Sequence, residues 1–551
     1  MTPTLDTEIG QTGPNDTSRL VATMIAAAER ANLPLPRKPW LDELSPVYDG
    51  ARLRQRTDAE LVLGVVDDAK NQSQYPVYFR PDVDGNLAVY GAGGAGKSVA
   101  LRTLAIAAAV TPLGGPVQVY ALDFGSSGLR MLEPLPHVGA VVDGDDSERV
   151  ARLLGMLRAI IDERSERFAS VRAGSIAEYR TLSGRADEPR IMLFIDGAGM
   201  FRTQYEYFTG PIYADFQQIL ADGRSVGVHV VLSVDRPGSI TPAIASAMQR
   251  KIVLRLVEDN DYSTLDVSAD VLSSGSAPGR ALIDGMEAQI AIFGGSRNVA
   301  DQSRAIDKLA ATLRDRGVAH APGVARLSDD IALSSLPSAP AGFAPLGVAD
   351  DDLQPVYFEP TGTFVLMGPP SSGRSSALSA LAHSTVGSAK GVRAFYFGNA
   401  KSALRSYAGW EATAASIEQA VELAATVREL AAQPAGEGFR IAVVIEGLSD
   451  FLSTPADSPM IEMLKVLKRG DHFALGESET STWSSSWPLL QELKSGRRGF
   501  ALQPDQQEGD LLFRTAFPRA KRSEFPVGRG YFVQAGKVRR VQLARRTEEG
   551  G

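Results

Sequence analysis

Eight consecutive residues, Gly91, Ala92, Gly93, Gly94, Ala95, Gly96, Lys97 and Ser98, are spaced to hold the phosphates of a nucleoside triphosphate. The glycines let successive backbone N–H groups turn toward a phosphate with no Cβ in the way. Lys97 offers a cation to the β- and γ-phosphates and Ser98 a hydroxyl to Mg2+, and the helix predicted to follow through Val99 turns its positive end toward the anion. Every fixed position of G-x-x-x-x-G-K-[ST] is met. The ion also needs an acidic residue at the tip of a neighbouring strand. Asp196, directly after the apolar run Ile191 to Ile195, has that place. Many ATPases of this architecture carry a glutamate next, which orients or deprotonates the attacking water. Here the residue is Gly197, and no carboxylate follows until Glu206. The expectation is a site that binds ATP and Mg2+ and hydrolyses weakly or not at all, with no catalytic residue assigned. Ser233 reads equally as a γ-phosphate sensor or as an ordinary strand-end serine.

A second loop, Gly368, Pro369, Pro370, Ser371, Ser372, Gly373, Arg374 and Ser375, repeats the spacing with arginine in place of lysine. Arginine keeps the charge, but its planar fork cannot act as a compact point charge. Glu446 follows an apolar run as Asp196 does, so Ser375 and Glu446 are the possible Mg2+ ligands of this copy. Three readings stand for it: a low-turnover site that holds ATP for structural reasons, an empty relic, or an active site with altered chemistry.

The approaches to the two loops also match. Leu63-Gly64-Val65-Val66-Asp67-Asp68 and Pro76-Val77-Tyr78-Phe79-Arg80-Pro81 reappear as Leu346-Gly347-Val348-Ala349-Asp350-Asp351 and Pro355-Val356-Tyr357-Phe358-Glu359-Pro360. The chain therefore holds one unit twice. After each loop the pattern predicts a helix, then a strand (117–123 and 394–397). An amphipathic helix follows, carrying Val150, Leu153, Leu154, Leu157 and Ile161, or Ile417, Val421, Leu423, Val427 and Leu430. Next come a buried strand (191–195 and 441–445), a helix (212–220 and 461–467) and another strand (228–233 and 473–476). Both copies close on a Gly-Arg turn, at Gly279-Arg280 and Gly528-Arg529. This alternation predicts an α/β fold of two tandem P-loop domains of the RecA-like or AAA+-like kind, each three-layered with a mostly parallel sheet. The expected division is an N-terminal tail and helix over 1–40, a first domain over 41–330, a linker over 331–345 and a second domain over 346–551. The helix at Ser18 to Ala31 reads as an appendage of the first domain or as one that packs on a further domain upstream.

Length and composition agree with two or more cores: 551 residues, 44% hydrophobic. No run reaches the ~20 apolar residues of a membrane span, and the start has no basic segment of a secretory signal. The absence of cysteine excludes disulfides, thiolate catalysis and cysteine-ligated zinc. A net charge of −8 speaks against nonspecific nucleic-acid binding. The basic cluster Lys537, Arg539, Arg540, Arg545 and Arg546 alternates with apolar residues, as on the exposed side of an edge strand.

The first copy, with GAGGAGKS, ALDFGSSGL (121–129), LPHVGAVV (135–142), IDGAGMF (195–201), GRSVGVHVVLSVDRP (223–237) and PGRAL (278–282), resembles the FtsK/SpoIIIE ATPases. More narrowly it resembles the EccC motors of type VII secretion, whose ATPase domains occur in series. The resemblance runs from about Leu33 to Ala544 and is weaker in the second copy. It implies an ATP-binding piece equivalent to the second and third EccC ATPase domains, either encoded separately or cut from a longer chain. Its expected place is cytoplasmic, peripheral at the inner face of the membrane through a membrane-bound EccC-type half. The implied cargo is small helical effector dimers of the Trp-X-Gly type, recruited by a C-terminal signal into an apolar groove of the last domain. Arg224, Arg250 and Arg255 fall where a neighbouring subunit's arginine finger would be sought, and none is assigned that role. The alternative is an FtsK-like DNA translocase driven by ATP hydrolysis.

Overall fold

The computed structural model describes residues 15–34, 40–54, 57–111, 113–125, 127–207, 211–436, 438–518, 520 and 522–546. The chain builds two ten-stranded sheets. In the first, the strands are β1 (Leu61–Asp68), β2 (Ser73–Phe79), β3 (Leu87–Tyr90), β4 (Val117–Asp123), β5 (Val138–Asp143), β6 (Arg190–Asp196), β7 (Val228–Val234), β8 (Arg250–Leu254), β9 (Arg280–Ile283) and β10 (Met286–Ile290). They lie in the order β2-β1-β10-β9-β8-β3-β7-β6-β4-β5. The second sheet comprises β11 (Ala344–Ala349), β12 (Pro355–Phe358), β13 (Gly362–Gly368), β14 (Val392–Phe397), β15 (Trp410–Ala414), β16 (Arg440–Ile445), β17 (Phe473–Glu479), β18 (Gly499–Leu502), β19 (Arg529–Gln534) and β20 (Lys537–Leu543). Its order, β12-β11-β20-β19-β18-β13-β17-β16-β14-β15, repeats the first strand for strand. Even the bulge in the opening hairpin recurs, between Val62 and Gly64 and again between Pro345 and Gly347.

In each sheet the run from the loop strand to the far edge is parallel, and an antiparallel set extends the other side. The parallel strands are buried on both faces, which is why β6 reads as an apolar run over Ile191 to Ile195 and β7 as one broken only by His229 and Ser233. Helix Ser147–Ser170 begins at Asp146, whose side chain accepts from Arg149 N–H, and buries Val150, Leu153, Leu154, Leu157 and Ile161. Its counterpart Ile417–Leu430 begins at Ser416 and buries Ala420, Leu423, Ala424 and Val427. Ile417, Val421 and Leu430 of the predicted stripe are only half-buried.

Three features of the chain outside the repeat differ from, or extend, the sequence expectation. Helix Asp16–Arg30 buries no residue against either sheet, and residues 1–14 lie outside the described part. The end of the first domain runs toward the second sheet as a strap held to both. Ala321 N–H donates to the Pro136 carbonyl. The Tyr120 hydroxyl donates to the Pro322 carbonyl at 3.1 Å, and Val324 joins the first core. Leu327 and Ile331 then pack with Ala544, the residue just past β20. β11 already begins at Ala344, within the span expected to be linker.

The expectation of an exposed edge strand at the C-terminal basic cluster is corrected. β20 sits inside its sheet between β11 and β19. Arg539 pairs with Asp351 and Asp352, Arg540 lies over the Phe525 ring, and Arg545 pairs with Asp330. These three arginines are spent on internal partners: the turn after β11 brings acids to Arg539, and the connection between the sheets brings one to Arg545.

Candidate nucleotide site

The first loop is held at both ends and in the middle by its neighbours. β3 lies between β7 and β8 in parallel pairing, and this brings the ends of three strands around residues 91–96. Gly91 N–H donates to the Val234 carbonyl at 3.0 Å and Ala92 N–H to the Arg255 carbonyl at 2.8 Å. The Gly279 N–H of the closing Gly-Arg turn donates to the Ala95 carbonyl at 2.8 Å. Gly96 has φ of +112°, and a Cβ there would stand 2.8 Å from Gly279 N, so the position needs glycine on both counts. Above Gly93 and Gly94 a Cβ would meet nothing within 4 Å, so the loop's outer face is open to a ligand.

Helix Lys97–Ala109 starts at the end of this loop. Lys97 Nζ donates to the carbonyls of Gly91 at 2.7 Å and Ala92 at 3.1 Å and pairs with Asp235 at 2.9 Å. Ser98 Oγ donates to Asp196 Oδ2 at 2.6 Å. The hydroxyl and the carboxylate proposed to share an ion are therefore in direct contact across 98 positions of sequence. Asp196 Oδ1 accepts from Ser233 Oγ at 2.5 Å, and Ser233 Oγ accepts in turn from Gly197 N–H at 2.8 Å. That bond gives Ser233 a definite job, orienting the acidic turn.

Gly197 caps helix Ala198–Tyr205 with φ of +90° and ψ of +52°. A Cβ at this position would lie 3.1 Å from the Cβ of Phe124. A glutamate here would be strained in the left-handed region and pressed against a phenylalanine. The backbone itself thus selects against the usual carboxylate.

Two acids near the loop escaped the sequence reading. β4 and β6 are in register so that Asp123 stands beside Asp196. Asp123 accepts from the Gly125 and Leu129 N–H groups, both at 3.0 Å, and so shapes the turn after β4. Asp235, one residue past the tip of β7, holds Lys97. Beneath them the buried Arg102 donates to the Gly128 carbonyl and to Gln302; burial draws its pKa down, while Asp196 and Asp123 oppose that shift. The three arginines considered as fingers are engaged within the chain: Arg224 on the carbonyls of Asp82 and Val83, Arg250 on Asp284, and Arg255 on the Ser274 carbonyl.

Repeat symmetry places the second loop at the end of β13, beside β17 and β18, with helix Arg374–Gly387 following. Gly373 has φ of +93°, and Ser371 occupies the left-handed region without being glycine. Gly528 N–H donates to the Ser372 carbonyl at 3.0 Å, the counterpart of the Gly279 contact. The side chains differ. Arg374 pairs with Glu477 at 2.8 Å and with Glu479 at 3.1 Å. Glu446 accepts from the Tyr396 hydroxyl at 2.5 Å. Strand registers make Glu477 the equivalent of Ser233 and Glu479 that of Asp235. Like Ser233, Glu477 accepts from the N–H of the turn glycine, here Gly447, at 3.0 Å. Burial raises the Glu477 pKa, with the Gly447 bond and Arg374 opposing. No helix of the described residues is long and apolar enough to cross a membrane, and no group of metal-ligating side chains clusters among them.

Residues 47–283 match the FtsK/SpoIIIE family. The ESX-1 secretion system protein EccCb1 of Mycolicibacterium smegmatis is 30% identical over 375 residues, which is 63% of this chain and 62% of that protein. The ESX secretion system protein EccC of Thermomonospora curvata is 26% identical over 565 residues, 93% of this chain and 42% of that one. The chain thus spans less than two thirds of either relative. Among solved structures, the cytoplasmic domain of the T. curvata type VII secretion ATPase EccC superposes with a TM-score of 0.74 at 25% identity, over 94% of this chain and 64% of that one. ATPases 2 and 3 of the same protein, in complex with a signal sequence peptide, superpose with a TM-score of 0.73 at 25% identity, over 94% and 99%.

Proposed function

From the premise that the chain carries an FtsK/SpoIIIE-family domain and is homologous to EccC, we propose that it is an ATP-binding, substrate-recruiting part of a type VII secretion motor. The observation that carries the nucleotide reading is the Ser98–Asp196 contact beneath an open glycine loop. In this reading the backbone of Gly91 to Gly96 and the start of the helix through Val99 hold the phosphates, Lys97 neutralises them, and Ser98 with Asp196 takes the Mg2+. Bound Mg·ATP supplies charge that only the folded loop satisfies, so it stabilises the domain by mass action. Hydrolysis is slow, because Gly197 leaves the attacking water without a base. Nucleotide at this site then acts on conformation and assembly.

Recruitment falls to the second domain. In the first, the strap passes the outer end of the sheet: Ala321 N–H donates to the Pro136 carbonyl just before β5, and Arg149 donates to the Val324 carbonyl at 3.2 Å. Among the described residues no strap bond of this kind is made beside β15, the matching edge of the second sheet. Half-buried Ala412, Ile417 and Val421 lie there beside a free strand edge. A short helical or extended signal segment of an effector fits that place by its apolar face, and the T. curvata ATPases 2 and 3 in complex with a signal sequence peptide support the binding of such a segment by this pair of domains. Docking onto a membrane-bound EccC-type half would set the chain at the inner face of the membrane.

The test is binding of a fluorescent effector C-terminal peptide, with ATP turnover measured with and without duplex DNA. The expected result is saturable peptide binding that Ala412→Asp abolishes, and turnover that DNA leaves unchanged. Strong stimulation by DNA would replace this reading with that of a translocase.

A further inference from the structure

We propose that the second P-loop takes no nucleotide, because Glu477 and Glu479 hold Arg374 where phosphates would meet it, and that the loop serves instead as the seat of the interdomain arginine Arg529.

Three observations converge on this. The loop has lost donors: Pro369 and Pro370 stand where the first loop has Ala92 and Gly93, and proline carries no N–H to offer a phosphate. Its cation is taken on both arms of the guanidinium, by Glu477 at 2.8 Å and Glu479 at 3.1 Å. Glu477 cannot swing aside, since its side chain is 8% exposed and its other oxygen accepts from Gly447 N–H. The first loop differs at the decisive place. Neutral Ser233 stands in the position of Glu477, and Lys97 meets a single carboxylate, Asp235, that is 63% exposed. A triphosphate entering the second loop would have to displace a buried anion from a fork that suits carboxylates. The Mg2+ partner is diverted as well, with Glu446 bonded to Tyr396.

What the clamped loop does hold is a neighbour. Gly528 N–H rests on the Ser372 carbonyl, and the next residue, Arg529, reaches across to the first domain. Arg529 pairs with Glu148 at 3.1 Å and Asp329 at 2.8 Å and donates to the carbonyl of Leu327 at 3.1 Å. The counterpart turn of the first copy supports a loop shaped to receive phosphate. In the second copy the same turn ties the loop to the first domain through Arg529, and a loop whose cation is already neutralised suits that task.

The experiment uses the full chain and radiolabelled ATP with Mg2+ in equilibrium dialysis. Wild type is expected to bind one equivalent, Arg374→Met one equivalent, and Lys97→Ala none. Saturable binding in Lys97→Ala that disappears in Lys97→Ala/Arg374→Met would overturn the proposal. Absence of binding in wild type would instead refute the first-site reading while agreeing with this one, so the two failures are distinct. The seat is tested without nucleotide, by amide hydrogen exchange. In Arg374→Met the Gly447, Gly528 and Arg529 amides are expected to exchange about tenfold faster than in wild type. Glu479→Gln, which alters only the exposed arm of the clamp, is expected to give a smaller change of the same sign. Unchanged exchange in both variants would overturn the seat.

Discussion

Replacing Arg529 with alanine tests how the two domains are held together. The side chain is 5% exposed, and of its two acidic partners Glu148 is 12% exposed and Asp329 70%. The exposed Asp329 contact is screened by water and contributes little. Losing the Glu148 contact matters more, because it leaves one oxygen of a buried carboxylate without its cation. Glu148 keeps Arg152 at 2.9 Å and the Leu327 N–H at 3.1 Å on the other oxygen. The loss therefore belongs at the low end of the range for breaking a buried pair, about 3 kcal/mol. At ~2–4 °C per kcal/mol for domains of this size, calorimetry should show the transition falling by roughly 6–12 °C. Adding Glu148→Gln to Arg529→Ala should recover part of the fall, since it removes the orphaned charge. A shift below about 2 °C, or strict additivity of the two substitutions in a double-mutant cycle, would refute the reasoning.

Gly197→Ala should destabilise the first domain by about 2 kcal/mol, from the left-handed backbone and the press on Phe124, read as a lower melting temperature; Gly197→Glu should share the loss without gaining turnover. His229, fully buried with Nε2 3.0 Å from Arg190 Nη1, is pushed down to about 3 by burial and by the arginine's charge. Its contribution is present above the ordinary imidazole value of about 6.5 and is lost as pH falls toward 3. The melting temperature of wild type should drop over that window more steeply than that of His229→Gln. Asp350 at the domain interface runs the other way. It is pushed up to about 7 by burial and by neighbouring Glu148, which outweigh Arg540 and Arg152. Glu148 itself is held low by Arg152 and Arg529 despite its burial, so Asp350 is the carboxyl that takes the proton. The interface should weaken as pH rises from about 4 to about 7, and Asp350→Asn should flatten that slope.

Much of this was legible in the chain because duplication doubles every signal. Two loops, two Leu-Gly hairpins and two apolar strands ending in an acid show the succession of strands and helices along the chain and single out Ser98 and Asp196, which the fold brings into contact; the order of strands within the sheet is not written in any local pattern. Asp235, Glu477 and Glu479 were missed although alignment of Val231 to Asp235 with Leu475 to Glu479 would have paired them. Their role depends on a strand register that no local pattern reports. The basic C-terminal alternation was misread for a related reason. Period two places side chains on faces of a strand but does not say whether that strand lies at an edge, and the acids that neutralise it lie nearly 200 residues upstream. Glycine at 197 was read as a lost carboxylate; its backbone angles add that the turn demands glycine.

As proposed, the first loop binds Mg·ATP tightly and turns it over slowly. The most direct test is to load the chain with ATP labelled on both the base and the γ-phosphate, remove free nucleotide by gel filtration, and follow what remains bound. Wild type is expected to retain one equivalent of intact ATP over minutes and Lys97→Ala none. Rapid conversion of bound ATP to ADP, or retention unaffected by Lys97→Ala, would contradict it.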